Sequence, residues 1–112
     1  MRICLVHRDL HAVTRGGIGT VYRELDRRLR HAGHDVTLLT QQSQSPLNQS
    51  GADVLTLPRT EDLVTHRRAV AEVLTQMRPD VVECSTWEAE ALHYLRQPRA
   101  ERAPVVIRGE FS

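Results

Sequence analysis

The feature that most constrains this chain is an alternation of two periodicities. Short continuous apolar runs recur along it, and longer amphipathic segments separate most of them. Ile3-Cys4-Leu5-Val6, Val36-Thr37-Leu38-Leu39, Val54-Leu55-Thr56-Leu57, Val81-Val82-Glu83-Cys84 and Pro104-Val105-Val106-Ile107 are the runs. Apolar runs this short with little polar alternation fit strands buried on both faces. Between the first two, Ile18, Val21, Tyr22, Leu25, Leu29 and Ala32 recur at helical spacing, with Arg23, Glu24, Asp26, Arg27, Arg28 and Arg30 largely opposite. His31 and Gly33 supply the C-terminal signal. Thr60 to Met77 is a second helix, with Leu63, Val70, Val73, Leu74 and Met77 on one face, Thr60 as cap and Pro79 as stop. Ser85-Thr86-Trp87-Glu88 has capping-box spacing and predicts a third helix running through Arg96.

The order is therefore β-α-β-β-α-β-α-β. Strands joined through helices form a parallel sheet with right-handed crossovers. The expectation is a doubly wound, mostly parallel, Rossmann-like α/β fold with five strands in the order 3-2-1-4-5. Ligands of such sheets bind at the carboxyl ends of the strands, where the order reverses. That directs attention to residues 7–19, 85–88 and 108–112. With one helix on one face and two on the other, one face over strands 4 and 5 lacks a helix of its own. A partner is expected to cover a patch there that includes Val82, Val105 or Ile107.

Composition narrows the chemistry. At 112 residues the chain is read as one domain, 1–112, with 40% hydrophobic and 26% charged residues. No apolar run approaches the length of a membrane span, and the N-terminal run is too short for a signal peptide. The chain is expected to be cytoplasmic. A net charge of +1 gives no general attraction for nucleic acid. All 15 basic residues are arginine, which excludes a P-loop lysine and lysine Schiff-base chemistry. Cys4 and Cys84 lie in apolar runs and read as reduced core residues, not a bridge or metal pair. His7 and His11 straddle a strand end and a loop, which does not make a metal pair. His31, His34 and His66 read as surface residues.

Arg15-Gly16-Gly17-Ile18-Gly19 stands between the first strand and first helix. Glycines there let the backbone approach a ligand, and the helix N-terminus offers N–H groups to an anion. A flexible turn or a close helix–strand contact would use the same residues. A dinucleotide fold is disfavoured: Tyr22 stands where the third glycine belongs, and Thr40-Gln41-Gln42 stands where a ribose-binding acid belongs. A phosphorelay receiver lacks its paired acids and its lysine. Arg8 and Arg15 flank the loop and are candidates for phosphate, or are solvated loop charges.

Residues 1–6, Gly16-Gly17-Ile18-Gly19-Thr20-Val21-Tyr22-Arg23-Glu24-Leu25 and residues 29–40 together resemble the start of a family-4 type glycosyltransferase of the GT-B fold. Arg78-Pro79-Asp80-Val81-Val82-Glu83 and Ala103-Pro104-Val105-Val106-Ile107 extend that resemblance along nearly the whole chain. The resemblance implies an incomplete GT-B N-terminal domain of a retaining enzyme. Such an enzyme moves a sugar from a nucleotide-diphosphate sugar to a hydroxyl or similar acceptor (a small molecule, a glycan or a lipid), with no metal and no other cofactor. It implies that Gly16, Gly17 and Gly19, with Arg15, face the donor diphosphate. His7, Arg8, Trp87, Glu88 and Arg108 would line the acceptor side, with Glu110 as the candidate catalytic residue. Relatives carry a histidine near that last position, and no histidine follows His93 here. The two glutamates with seven other residues between them that mark the nucleotide site of relatives do not occur either, so a C-terminal domain or a partner chain would supply the donor site. The alternatives are one half of a split transferase, a non-catalytic interaction module, or an anion-binding domain complete in itself.

Overall fold

The computed structural model describes residues 1–8, 18–41, 53–86 and 88–109. Its strands are β1 (Arg2–Val6), β2 (Asp35–Gln41), β3 (Asp53–Leu57), β4 (Val81–Ser85) and β5 (Val105–Arg108). Its helices are α1 (Ile18–His31), α2 (Leu63–Met77) and α3 (Leu92–Leu95), followed by one 3-10 turn at Arg99–Glu101. All four strand pairings are parallel, and the sheet order is β3-β2-β1-β4-β5, as the sequence predicts.

Side chains alternate across each strand, and two cores follow from that alternation. Ile3 and Leu5 of β1 join Val36 and Leu38 of β2 against Tyr22, Leu25 and Leu29 of α1. Cys4 and Val6 face the other way, with Leu39, Val82 and Cys84, and meet Val70, Leu74 and Tyr94 of α2 and α3. β1 is central and covered on both sides, which is why its sequence carries no polar alternation. Cys4 and Cys84 are buried and unbridged, as expected.

The helix ends follow local chemistry. Gly33 adopts φ 92°, its N–H donates to the Arg30 carbonyl at 2.9 Å, and the His34 N–H donates to Leu29 at 3.0 Å. This is a Schellman stop, and glycine is the residue that takes it without strain. α2 starts later than expected. Its cap is Asp62, which accepts from the Val64 N–H at 3.2 Å and from the Thr65 hydroxyl at 2.6 Å. Thr60 instead accepts the Asp62 N–H, one step upstream.

Two expectations are overturned. The third helix does not run from Ser85 to Arg96. Ser85 stays in β4, paired with Arg108, and Ala89 takes a left-handed φ of 48°, so regular helix is confined to Leu92–Leu95. The open patch over β4 and β5 also consists of other side chains than the sequence predicts. Val82 is fully buried and Val105 packs beside it, both on the α2 side. The side chain open on the α1 side is Val106, 48% exposed, in line with Glu83 and Arg108. Ile107, 46% exposed, shares the face of Val105.

Candidate site at the carboxyl ends of the strands

β1 is flanked by β2 and β4, so the sheet order reverses there and a crevice opens past the carboxyl ends. The chain leaving β1 stays beside β2: the His7 N–H donates to Leu39 at 3.0 Å, and the Gln41 N–H to Arg8 at 3.3 Å. Thr40 Oγ1 donates to the same Arg8 carbonyl at 3.1 Å. These bonds place His7 and Arg8 at the crevice. His7 stands edge-on to the Tyr22 ring, with centroids 6.2 Å apart.

Arg8 and Glu88, far apart in sequence, meet as an ion pair, Nε to Oε2 at 2.7 Å, with both side chains about four-fifths buried. Glu88 is thus not a helix-capping residue. Two residues on, Glu90 Oε1 accepts the Arg8 backbone N–H at 2.9 Å. The segment Glu88-Ala89-Glu90 therefore grips Arg8 by side chain and backbone together.

Behind Arg8 lies a buried polar chain. Gln41 Nε2 faces His66 Nδ1 at 3.0 Å and the Thr60 carbonyl at 3.5 Å. An amide nitrogen aimed at a carbonyl oxygen is a donor, so Nδ1 accepts and Nε2 of His66 carries the ring proton. That proton is donated to Glu90 Oε1 at 2.9 Å. His66 and Glu90 are each 1% exposed, so His66 is not the surface residue that its sequence neighbours suggest. The signal for its burial is its place in the apolar stripe Leu63, His66, Val70, Leu74, Met77. Arg67, next along α2, donates from Nε to the carbonyls of Glu88 and Ala89 at 3.1 Å each, and its terminal nitrogen donates to Glu88 as well. These bonds hold the left-handed turn at Ala89, a conformation that costs about 1 kcal/mol or more for a non-glycine residue.

Arg108 lies on the other side of the sheet. It forms a two-point pair with Glu83, Nε to Oε2 at 2.8 Å and the terminal nitrogen to Oε1 at 3.3 Å, which keeps its guanidinium firmly charged. Its carbonyl accepts the Thr86 N–H at 3.0 Å. The Tyr22 hydroxyl and Ser85 Oγ are buried with no partner among the described residues. Burial, with Glu83 nearby, pushes the Tyr22 phenol up. The structure brings Arg8 and Glu88 together and places Arg108 apart from them. Gly19 lies in the first turn of α1. Arg15, Gly16, Gly17, Trp87 and Glu110 lie outside the described residues. No group of three or more potential metal ligands occurs among the described residues, and no helix there is long and apolar enough to cross a membrane.

A separate cavity of about 750 Å³ opens near the amino end of β4, lined by Leu74, Pro79, Tyr94, Gln97, Arg102 and Ala103 among others. It is at the opposite end of the sheet from the crevice.

A parallel sheet of this order, with charged and hydrogen-bonding groups converging at its carboxyl ends, defines a Rossmann-like α/β domain. Residues 16–108 match the glycosyl transferase 4-like domain, and the chain belongs to that family. No curated protein matches the chain.

Proposed function

We propose that this chain is the acceptor-side domain of a retaining glycosyltransferase. The donor is a nucleotide-diphosphate sugar, and the acceptor supplies a hydroxyl or similar group. In the reaction the bond between the anomeric carbon and the diphosphate breaks. A bond to the acceptor oxygen forms on the same face, and the acceptor proton passes to the phosphate oxygen of the departing nucleoside diphosphate. Gly16, Gly17 and Gly19 bring backbone N–H groups to the diphosphate at the positive end of α1, with Arg15 adding charge. Donors placed there stabilise the negative charge that grows on the leaving group. His7, Arg8, Trp87 and Glu88 line the acceptor side, Arg108 adds to it from the opposite face of the sheet end, and Glu110 is the catalytic candidate. A further domain or a partner chain holds most of the nucleotide, and no metal takes part.

The observation that carries this reading is the Arg8–Glu88 pair at the crevice of a family-4-like domain. A carboxylate and a guanidinium side by side offer both an acceptor and a donor to a sugar or polyol hydroxyl. The test is nucleotide-sugar turnover by the native polypeptide that carries this domain, with Gly16→Val and Gly17→Val as variants. Lost turnover supports the reading. Unchanged turnover, or none in the unaltered protein, favours a binding module.

A further inference from the structure

We propose that His66, Arg67 and Glu90 are positioning residues that hold the Arg8–Glu88 pair in the geometry that recognises a substrate hydroxyl. The proposal rests on the reading of the crevice as an acceptor site and adds to it two residues of α2 and Glu90 of the segment that carries Glu88.

Several bonds around this pair end on its own backbone or on the turn between its partners. Glu90 Oε1 takes the Arg8 N–H, and His66, backed by Gln41, donates to the same oxygen. Arg67 spans the carbonyls of Glu88 and Ala89. His66 and Arg67 are consecutive on the first turns of α2, so one helix fixes both halves of the pair: Arg8 through Glu90, and Glu88 through its carbonyl. A guanidinium can turn about four side-chain bonds, and fixing its backbone and its partner removes most of that freedom before a ligand arrives.

Fold maintenance alone does not explain this arrangement. A neutral, well-packed apolar group would replace the Glu90–His66 couple with equal or better stability. Instead a carboxylate is buried with Oε2 unpartnered among the described residues, and an alanine is held in a left-handed turn, both beside the ion pair. Unfavourable local features gathered at one place mark a geometry that serves the pair and not the core.

The test uses ¹⁵N-labelled chain and follows the Arg8 amide and Arg8 Nε–Hε signals in Arg67→Ala and Glu90→Gln. Arg67 acts on the carbonyls of Glu88 and Ala89, and its removal is expected to move the Arg8 Nε–Hε signal toward that of a free arginine. Glu90→Gln is expected to speed exchange of the Arg8 amide about tenfold, while Leu38 and Leu74 keep wild-type protection. Unchanged Arg8 signals in both variants overturn the proposal, as does equal loss of protection across the core. If Arg67→Ala does not fold, Glu90→Gln, which preserves volume, decides alone. In the native polypeptide, Glu90→Gln should raise KM for acceptor and leave KM for donor; a parallel rise in both overturns the proposal. If the unaltered protein transfers no sugar, the transferase reading fails separately and the Arg8 signals still decide positioning.

Discussion

His66 Nε2 donates to Glu90 Oε1 at 2.9 Å, joining the first turns of α2 to the segment after β4 with both side chains 1% exposed. Removing one partner strands the other in a dry place. His66→Phe leaves the Glu90 carboxylate one donor short and the Gln41 amide without its ring acceptor. The expected loss is about 2 to 3 kcal/mol, in the range for a buried polar group deprived of its partner. A urea midpoint shift at unchanged slope measures it.

The two ends of left-handed backbone at helix termini give opposite expectations. Gly33 has open space where a Cβ would stand, so Gly33→Ala is penalised only by its φ of 92°, about 1 kcal/mol. Arg78 closes α2 at φ 53° with its N–H on the Leu74 carbonyl, and Arg78→Gly is expected to gain up to about 1 kcal/mol. Thermal unfolding of the two variants should move Tm in opposite directions.

Surface charge on α1 sets a limit at low pH. Hydrogen bonds from Arg27 and Arg28 lower the Glu24 carboxyl from 4.5 to about 2. A group whose folded pKa is depressed adds stability above its unfolded value and loses it as pH falls through the folded one. The Glu24 contribution is therefore complete above about pH 4.5 and fades toward pH 2, and Glu24→Gln should flatten that part of the curve. The pair is exposed, so added salt should shrink the difference. An NMR titration of the Glu24 side-chain carbonyl checks the shift directly.

Neither thiol should react in the folded state. Burial pushes Cys4 up to about 12, and Cys84 is raised by the same cause, so neither is a thiolate at neutral pH. A disulfide reagent such as DTNB should find no fast thiol in native protein and two in denaturant. Rapid labelling of native protein would contradict the packing of β1 against β4.

Strand order and the first two helices were legible because hydrophobic spacing is a local signal and the sheet buries most of what it marks. Tyr22, Leu25 and Leu29 announce the face of α1 that meets Ile3 and Leu5. The third helix misled because Ser85 to Glu88 has the spacing of a cap, while Ser85 is retained by its pairing with Arg108 and Glu88 by Arg8. No local rule puts an alanine in a left-handed turn; Arg67, 22 positions earlier, does so. His66 sits among Thr65, Arg67 and Arg68 and looks exposed, since its partners Gln41 and Glu90 are 25 and 24 residues away. Arg8 and Glu88 were each legible as crevice residues by position on the topology. That they pair was not, because the pairing needs the turn at Ala89.

The most direct test of the central claim, that the carboxyl-end crevice is the ligand site, is chemical-shift mapping of the ¹⁵N-labelled chain with nucleoside diphosphates and their sugar conjugates. The account predicts shifts concentrated at the start of α1 and at the crevice residues beside it, and weakened by Gly17→Val or Arg15→Ala. Shifts concentrated at Arg78, Gln97 and Arg102, around the cavity at the opposite end of the sheet, would contradict it.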